Sequence, residues 1–133
     1  MRFAKSDGRG IKVVAVEPEA AGCLNANLRE GRHFTVQTGK TIMDGMCCGT
    51  VSPTAWPVLK EGVDVSVTVG ERECHEAVEY LQGENVAAGP CGAATLAGLK
   101  RVVEEKRGEI GLNKESVVVL LSTEGRRPYE VPI

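Results

Sequence analysis

The sequence lacks the features of membrane, secreted and nucleic-acid-binding proteins. No apolar run in its 133 residues approaches the roughly 20 residues that a transmembrane helix needs, and the opening MRFAKSDGRG lacks the apolar middle of a secretory signal. Sixteen Lys and Arg residues against eighteen Asp and Glu give a net charge of -2, so no charge excess draws the surface toward nucleic acid or anionic lipid. We therefore expect a cytoplasmic protein whose partner is a small molecule, with no nucleic acid and no membrane.

Paired cysteine motifs and linkers are missing too. The five cysteines are an odd number and no two have C-x-x-C spacing, so neither a complete disulfide framework nor a zinc site is indicated. We expect reduced thiols, mostly buried, and no metal. A chain of 133 residues with 42% hydrophobic residues and no internal repeat predicts one α/β domain with a single core, residues 1–133.

What is present is an alternation of strand and helix patterns. Stretches rich in β-branched residues predict strands at Ile11–Glu17, Asp64–Val69 and Val117–Ser122, and His33–Val36 is a weaker fourth candidate. The third stretch is apolar at five successive positions, 117–121. Such a run is typical of a strand that is covered on both faces, as in a parallel sheet.

Apolar residues at helical spacing predict helices at Glu19–Glu30, Glu71–Leu81 and Ala93–Arg107, and Gly31 should end the first of them. Strands that alternate with helices predict an α/β fold of three layers, a small, mostly parallel sheet with helices on both faces. Sheets of this class usually have about five or six strands. The small strand number, and a helical turn expected at Met1–Lys5, indicate a fragment of a larger fold.

Two motifs stand at the ends of these elements. The turn Gly89–Ala94 opens a helix, where backbone N–H groups and the helix dipole favour an anion and should lower the pKa of the Cys91 thiol. The alternative is a close-packed turn with an inert thiol. Ser122–Gly125 follows the apolar stretch, and ligands of open α/β sheets bind where strands end. The alternative there is a simple exit turn.

Three other candidates carry no function. Lys40 follows a glycine as in a phosphate-binding loop, but Phe34 stands where that motif requires a glycine. Cys74 and His75 are neighbours on a predicted helix and point about 100° apart, so they cannot act as nucleophile and base. We expect Cys74 in the core, His75 in solvent and His33 exposed in a loop.

Four blocks of the sequence resemble the diaminopropionate ammonia-lyases. They are, in order, Val13–Leu24 (VVAVEPEAAGCL), Thr41–Trp56 (TIMDGMCCG, then SPTAW), Gly89–Leu99 (GPCGAATLAGL) and Val117–Gly125 (VVVLLSTEG). More distantly the pattern is similar to the threonine and serine dehydratases and to tryptophan synthase beta, which are all fold-type II pyridoxal-phosphate enzymes. The resemblance covers nearly the whole chain and implies part of the large domain of such an enzyme.

The resemblance implies a cofactor-binding role for three residues. A hydroxyl or thiol near the end of the last strand hydrogen-bonds the pyridine nitrogen in this superfamily, and that position falls on Thr123. A neutral partner leaves the ring a moderate electron sink and favours β-elimination. Gly45 would lie against one face of the ring, where it offers no Cβ that could collide. Cys91 would lie near the cofactor at the start of its helix.

The departures from the family pattern matter equally. The lyase turn reads Gly-Glu-Ser-Gly-Ala, whereas Pro90 and Cys91 replace its Glu and Ser here. The family's Schiff-base lysine and glycine-rich phosphate loop lie upstream of these blocks, and none of the seven lysines occupies a matching position. We therefore assign no catalytic residue. We expect a C-terminal fragment of a lyase that converts 2,3-diaminopropionate to pyruvate and ammonia, contributing one side of the pyridoxal-phosphate pocket and inactive alone.

Two alternatives stay open. The chain could be a fragment of a threonine or serine dehydratase or of a tryptophan synthase beta-like enzyme. It could also be a non-catalytic, self-associating α/β module that binds a small anion or a partner chain. An uncovered sheet edge predicts a homodimer or higher oligomer, or a companion chain that supplies the missing half.

Overall fold

A computed structural model describes Lys5, Gly8 and residues 10–133. Two short strands, β1 (Val14–Pro18) and β2 (Val65–Val69), pair in parallel with Val14 opposite Val65. Both strands lie where the sequence predicts them, although β1 begins later. The helical turn expected at the N-terminus lies, apart from Lys5, outside the described residues.

Five helices and two short 3-10 turns accompany the strands in the described part of the chain. The helices are α1 (Cys23–Glu30), α2 (Trp56–Gly62), α3 (Glu71–Gly83), α4 (Pro90–Glu105) and α5 (Arg107–Ile110). The predictions of α3 and α4 are confirmed with small shifts at their ends. The short helices α2 and α5 were not predicted. Among residues 10–133 no helix is both long enough and apolar enough to cross a bilayer.

The predicted helix Glu19–Glu30 is divided in two. A 3-10 turn covers Glu19–Ala21, and Gly22, with φ -90° and ψ 54°, leaves the helical conformation before α1 begins. The end of α1 is as predicted, because Gly31 takes the left-handed conformation with φ 69°.

Helices cover both faces of the sheet. On one face, Val65 and Val67 of β2 form a buried cluster with Val102 of α4. On the other face, the side-chain amide of Asn25 in α1 donates to the carbonyl of Ser66 at 3.2 Å. Layers of helix, sheet and helix confirm the predicted α/β fold class, with a parallel sheet of two strands in the part of the chain that is described.

Small residues let α4 pack closely on its neighbours. Ala93, Ala94 and Ala97 are buried against α3, in a cluster that includes the predicted stripe Cys74, Ala77 and Val78. A Cβ added to Gly98 would stand 2.4 Å from Cγ2 of Val16, so α4 lies directly on β1 at this point. This packing fixes where the start of α4 lies relative to the sheet.

Two strand predictions are wrong. Residues 117–122 form no strand, and their side chains are exposed: 92% for Val117, 77% for Val119 and 71% for Leu121. A strand exists only where another strand accepts its backbone hydrogen bonds, and β1 and β2 pair with each other. The weaker candidate His33–Val36 also forms no strand.

The environments of the cysteines and histidines partly differ from expectation. All five cysteines are free, but Cys47 and Cys48 are exposed because they follow a short 3-10 turn in a surface loop. The prediction that the thiols are mostly buried is therefore wrong. Cys74 is buried as predicted, and His33 is exposed. His75 does not face solvent: its side chain is only 17% exposed, and Nδ1 lies 2.7 Å from the hydroxyl of Tyr129.

Candidate functional site

The start of α4 lies against the exit segment, which we define as Ser122–Gly125. Pro90 takes the first helical position, where its fixed φ suits the helix and its missing N–H is no loss. The backbone N–H of Cys91 donates to Oε2 of Glu124 at 2.7 Å, and that of Gly89 donates to the backbone oxygen of Glu124 at 3.1 Å. The Glu124 carboxylate therefore caps α4.

Two glycines permit this close approach. A Cβ added to Gly92 would stand 2.4 Å from the backbone oxygen of Glu124 and 2.7 Å from Oγ of Ser122. A Cβ added to Gly89 would stand 2.6 Å from Oε2 of Glu124. Real Cβ atoms do not approach other atoms this closely, so the exit segment can lie on the first turn of α4 only because both positions lack a side chain.

Gly45 lies in a 3-10 turn, Asp44–Met46, against the same helix start. The nearest heavy atom that an added Cβ would meet is Sγ of Cys91, at 3.4 Å, which is an ordinary contact distance. Gly45 is exposed and is not among the glycines with a positive φ. The described part of the fold thus tolerates a side chain at position 45, and the face beside Cys91 stays open.

The loop before Gly45 is fixed on both sides of Ile42. Its backbone N–H donates to Oε2 of Glu71 at 2.6 Å, and its carbonyl accepts a hydrogen bond from Arg127. Met43, the next residue, is fully buried in the cluster between α3 and α4. Gly45 therefore follows a firmly anchored stretch of backbone.

Arg127 connects this loop to the exit segment. Its Nε donates to Oε1 of Glu124 at 2.8 Å, and one terminal nitrogen, which donates to the carbonyl of Ile42, also lies 3.7 Å from the carboxylate of Asp44. The side chains of Arg127 and Glu124 are only 26% and 24% exposed. Sequence reasoning missed Arg127, because nothing local marks a contact across the 85 positions that separate it from Ile42.

The electrostatics around Cys91 overturn one expectation. Burial raises the pKa of the Cys91 thiol, the nearby Glu124 carboxylate raises it further, and a backbone hydrogen bond from Gly45 only partly offsets them. Of the two interpretations of this turn, the lowered thiol pKa is wrong, because the thiol is partly buried and the Glu124 carboxylate already takes up the positive end of α4; the close-packed turn with an inert thiol agrees with the structure. Burial alone would raise the pKa of Glu124, but hydrogen bonds from Arg127 and from the Cys91 backbone lower it.

The three residues expected to face a cofactor lie around this one helix start. Gly45 lies beside Cys91, whose thiol has a backbone hydrogen bond from Gly45. Thr123 is exposed and stands between Ser122 and Glu124, both of which would touch a Cβ at Gly92. The chain thus brings a thiol, a side-chain-free backbone position and the segment that carries Thr123 to one end of α4.

The starts of the three longest helices in the described part of the chain are poor phosphate sites. Glu17 accepts hydrogen bonds from the first turn of α1, with Oε1 2.8 Å from the Leu24 nitrogen, and Glu73 accepts one from Gly70, the residue before α3, at 2.7 Å. Together with Glu124, these carboxylates occupy the N-termini of the three longest helices described. A phosphate would meet negative charge at each of them.

The lysines make their contacts elsewhere. Lys40, the closest to Gly45 in sequence, pairs with Glu130 at 2.6 Å, and this hydrogen bond raises the pKa of its ammonium group. A raised pKa keeps the amine protonated, which is the opposite of what a nucleophile needs. In the described part of the chain, no hydrogen bond or ion pair joins a lysine to Gly45, Cys91 or Thr123.

Comparison with known proteins identifies the fold. A family model described as pyridoxal-phosphate dependent enzyme matches residues 1–123. The chain belongs to this family. This pyridoxal-phosphate family chain is 28% identical to the biosynthetic L-threonine dehydratase of Pasteurella multocida over 113 residues, which cover 84% of the chain and 21% of the dehydratase. It is 27% identical to the diaminopropionate ammonia-lyase of Escherichia coli K12, with 88% of the chain and 32% of the lyase covered.

The structural comparison agrees. A crystal structure of threonine deaminase from T.th. matches with a TM-score of 0.74 and 30% identity, covering 90% of this chain and 38% of that one. The resemblance to fold-type II enzymes is confirmed. The family chain spans between about a fifth and two fifths of the length of these relatives.

The residues present fit one end of pyridoxal phosphate, the cofactor of the intact family enzymes. A hydroxyl, a largely neutral thiol and an open glycine face suit an aromatic ring and its nitrogen. The carboxylate-capped helix starts do not suit the phosphate group. At these positions the residues suit the ring better than the phosphate, and their role toward a bound cofactor stays a prediction.

Proposed function

We propose that this chain forms one wall of the cofactor pocket of a pyridoxal-phosphate ammonia-lyase, one that eliminates ammonia from 2,3-diaminopropionate and yields pyruvate. The observation that supports this most is the convergence of Gly45, Cys91 and the exit segment with Thr123 at the start of α4. The cofactor in this proposal follows from family membership, and the substrate follows from the resemblance to diaminopropionate ammonia-lyase.

Each residue has a simple task in this proposal. The bound cofactor supplies an electron sink for the substrate's reacting carbon. Thr123 hydrogen-bonds the ring nitrogen without adding charge, which keeps that sink moderate. Gly45 leaves room for the flat face of the ring. Cys91 contacts the ring as a neutral thiol, since burial and Glu124 raise its pKa.

Two further parts must come from polypeptide other than these residues, either the rest of a longer chain or a companion chain. One is the lysine amine that carries the cofactor and moves the substrate proton, and the other is the phosphate loop. We therefore expect residues 1–133 alone to show no turnover of 2,3-diaminopropionate with added pyridoxal phosphate. Turnover, together with an absorption band that borohydride reduction fixes on one specific lysine, would contradict this.

Binding can be tested without chemistry. Pyridoxine 5′-phosphate has the ring and the phosphate but no aldehyde, so it cannot react with surface lysines. Titrated into the isotope-labelled chain, it should shift the NMR amide signals of Gly45, Cys91 and Thr123 and leave that of Gly83, at the far end of α3, unchanged. Pyridoxine without phosphate should shift the same signals, because the chain contacts the ring end.

A variant sharpens this test. Thr123→Val removes the hydroxyl and keeps the shape, so it should weaken pyridoxine phosphate binding by about twofold to tenfold, the equivalent of one ordinary hydrogen bond. Thr54→Val, an exposed threonine near α2, is the matched control and should bind as the parent chain does. The proposal fails if the signals that move lie elsewhere, or if both variants bind equally.

The substrate needs its own assay, because threonine dehydratases stand beside the diaminopropionate lyase among the relatives. Assembled with a polypeptide that provides the lysine and phosphate loop, the enzyme should release pyruvate from 2,3-diaminopropionate faster than 2-oxobutanoate from threonine. If 2-oxobutanoate were released from threonine faster, the chain would instead be assigned to a threonine dehydratase.

A second candidate function is a self-associating module, and one observation favours it. The segment Val117–Leu121 is apolar and exposed, with 92% exposure at Val117 and 77% at Val119. Apolar β-branched residues exposed in a row are buried readily by another strand. We propose a second copy of this chain as the occupant when no companion chain is present.

Sedimentation equilibrium at tens of micromolar tests this. The parent chain should form dimers or larger species, and Val119→Lys should shift it toward monomer. Val58→Lys, a valine that is 43% exposed on α2, is the matched control and should associate as the parent does. A clean monomer for the parent chain would contradict self-association.

A further inference from the structure

We propose that Glu124 and Arg127 are positioning residues that hold the exit segment, the Gly45 loop and the Cys91 helix start in one arrangement. Their importance for the cofactor rests on the proposed function, whereas the linkage itself can be measured with no cofactor present. Neither residue is among those that the family resemblance assigned to the cofactor.

Three hydrogen bonds fix Glu124 in place. One carboxylate oxygen accepts the Cys91 N–H at 2.7 Å, the other accepts Nε–H of Arg127 at 2.8 Å, and its backbone oxygen accepts the N–H of Gly89 at 3.1 Å. Thr123 is covalently attached to this anchored residue. The backbone of Thr123 therefore cannot move far from α4 unless these hydrogen bonds break.

Arg127 extends the same anchor to the Gly45 loop. Its guanidinium donates to the carbonyl of Ile42 and lies 3.7 Å from the carboxylate of Asp44, the residue before Gly45. A planar guanidinium can serve the loop and Glu124 at the same time, whereas a lysine ammonium is a single point on a flexible stem. Since both partners are about three quarters shielded, solvent screens this pair less than it screens a surface ion pair.

Two measurable signals, the alkylation rate of Cys91 and the amide signal of Gly45, report whether this arrangement is intact. The Glu124 carboxylate raises the pKa of the Cys91 thiol, so the alkylation rate of Cys91 reports whether this charge stays in place. The amide signal of Gly45 reports the loop, which Glu124 reaches through Arg127 and also through Cys91, whose thiol has a backbone hydrogen bond from Gly45. The part of a Glu124 effect at Gly45 that depends on Arg127 therefore measures the linkage.

The experiment uses the full chain without cofactor. Glu124→Gln keeps the shape and removes the charge, so iodoacetamide should alkylate Cys91 faster at pH 8, by roughly threefold to tenfold, with mass spectrometry separating this thiol from the other four. Glu124→Gln should also shift the Gly45 amide signal. That shift should become smaller when Glu124→Gln is made in an Arg127→Gln background, because only the path through Cys91 is then left.

Two further variants separate positioning from bulk charge. Arg127→Lys keeps the positive charge but loses the planar guanidinium that donates to two partners at once. The amide signal of Gly45 in this variant should therefore resemble that in Arg127→Gln and not that in the parent chain. Arg126→Gln removes the exposed neighbouring arginine and should leave the Cys91 rate and the Gly45 signal unchanged. Thermal unfolding of each variant confirms that it is folded before its signals are compared.

The outcomes distinguish the two proposals. A parent-like Gly45 signal in Arg127→Lys, or an unchanged Cys91 rate in Glu124→Gln, overturns the positioning role even if pyridoxine phosphate binds as expected. If pyridoxine phosphate shifts none of the three cofactor-facing amides in the parent chain, the proposed function fails, and the linkage is judged on the cofactor-free signals alone.

Discussion

Replacing Gly92 by alanine should lift the exit segment off α4. The added Cβ would stand 2.4 Å from the backbone oxygen of Glu124, and backbone cannot rotate aside as a side chain can. Two hydrogen bonds to Glu124 would then be strained or lost. The charge-assisted bond from Cys91 contributes about 1.5–3 kcal/mol and the neutral one from Gly89 about 0.5–1.5 kcal/mol, while alanine in place of glycine returns about 1 kcal/mol of helix propensity.

The free energy of unfolding should therefore fall by about 1–3.5 kcal/mol in this variant. Urea unfolding measures this change, and the hydrogen-exchange rate of the Cys91 amide shows whether the loss is local. Gly83→Ala is the control, because Gly83 lies at the end of α3 with nothing within 4 Å of an added Cβ, and it should be neutral or stabilised by up to about 1 kcal/mol. If Gly92→Ala were as stable as Gly83→Ala, with Cys91 exchange unchanged, the exit segment would not be seated as described.

Three other outcomes follow from the packing and the charges. Gly98→Ala should cost about 1–2 kcal/mol of unfolding free energy through its clash with Val16, and a double-mutant cycle with Val16→Ala should remove most of that cost, whereas additive effects would exclude the contact. The pKa of Glu124 is lower in the folded chain than its ordinary 4.5, so its contribution to stability is complete above that pH and is lost as the pH falls below it. Between pH 6 and pH 3 the free energy of unfolding should decline less for Glu124→Gln than for the parent chain, and an equal decline in both would refute this. Burial raises the pKa of the Cys74 thiol to about 12, so iodoacetamide should label it far more slowly than exposed Cys47 in the folded chain and at a similar rate in urea.

Local sequence signals predicted the elements that local physics determines. The apolar stripe of Cys74, Ala77 and Val78 predicted α3 because a helix repeats every 3.6 residues whatever surrounds it. The αL glycine at Gly31 ended α1 for an equally local reason. The short helix Trp56–Gly62 was missed, since two turns carry too few apolar positions for a period to be recognised.

Contacts between distant positions account for the errors. The segment Val117–Leu121 has the composition of a buried strand, but a strand also needs a neighbour, and composition cannot say whether one is there. A lowered pKa of Cys91 was one of two interpretations of its turn, and it is wrong because the thiol is partly buried and the opposing carboxylate, Glu124, lies 33 positions away. His75 was expected in solvent because its partner, Tyr129, lies 54 positions away.

The family motifs predicted a set of residues for the candidate site, Gly45, Cys91 and Thr123, and their role at the cofactor stays a prediction. The structure places Gly45 beside Cys91 and Thr123 on the adjoining exit segment. The motifs did not predict the residues that hold this arrangement together. Arg127 belongs to no motif and is recognised only by the three groups that it reaches.

The exposed run Val117–Leu121 has a consequence for handling the protein. Five consecutive β-branched or leucine side chains without a proline or a charge are the kind of segment from which cross-β fibrils grow when identical copies stack. Preparations of the isolated chain should therefore have a storage life that shortens steeply with concentration. A strand that pairs with this run would protect it from stacking into fibrils, in addition to any part that the strand has in catalysis.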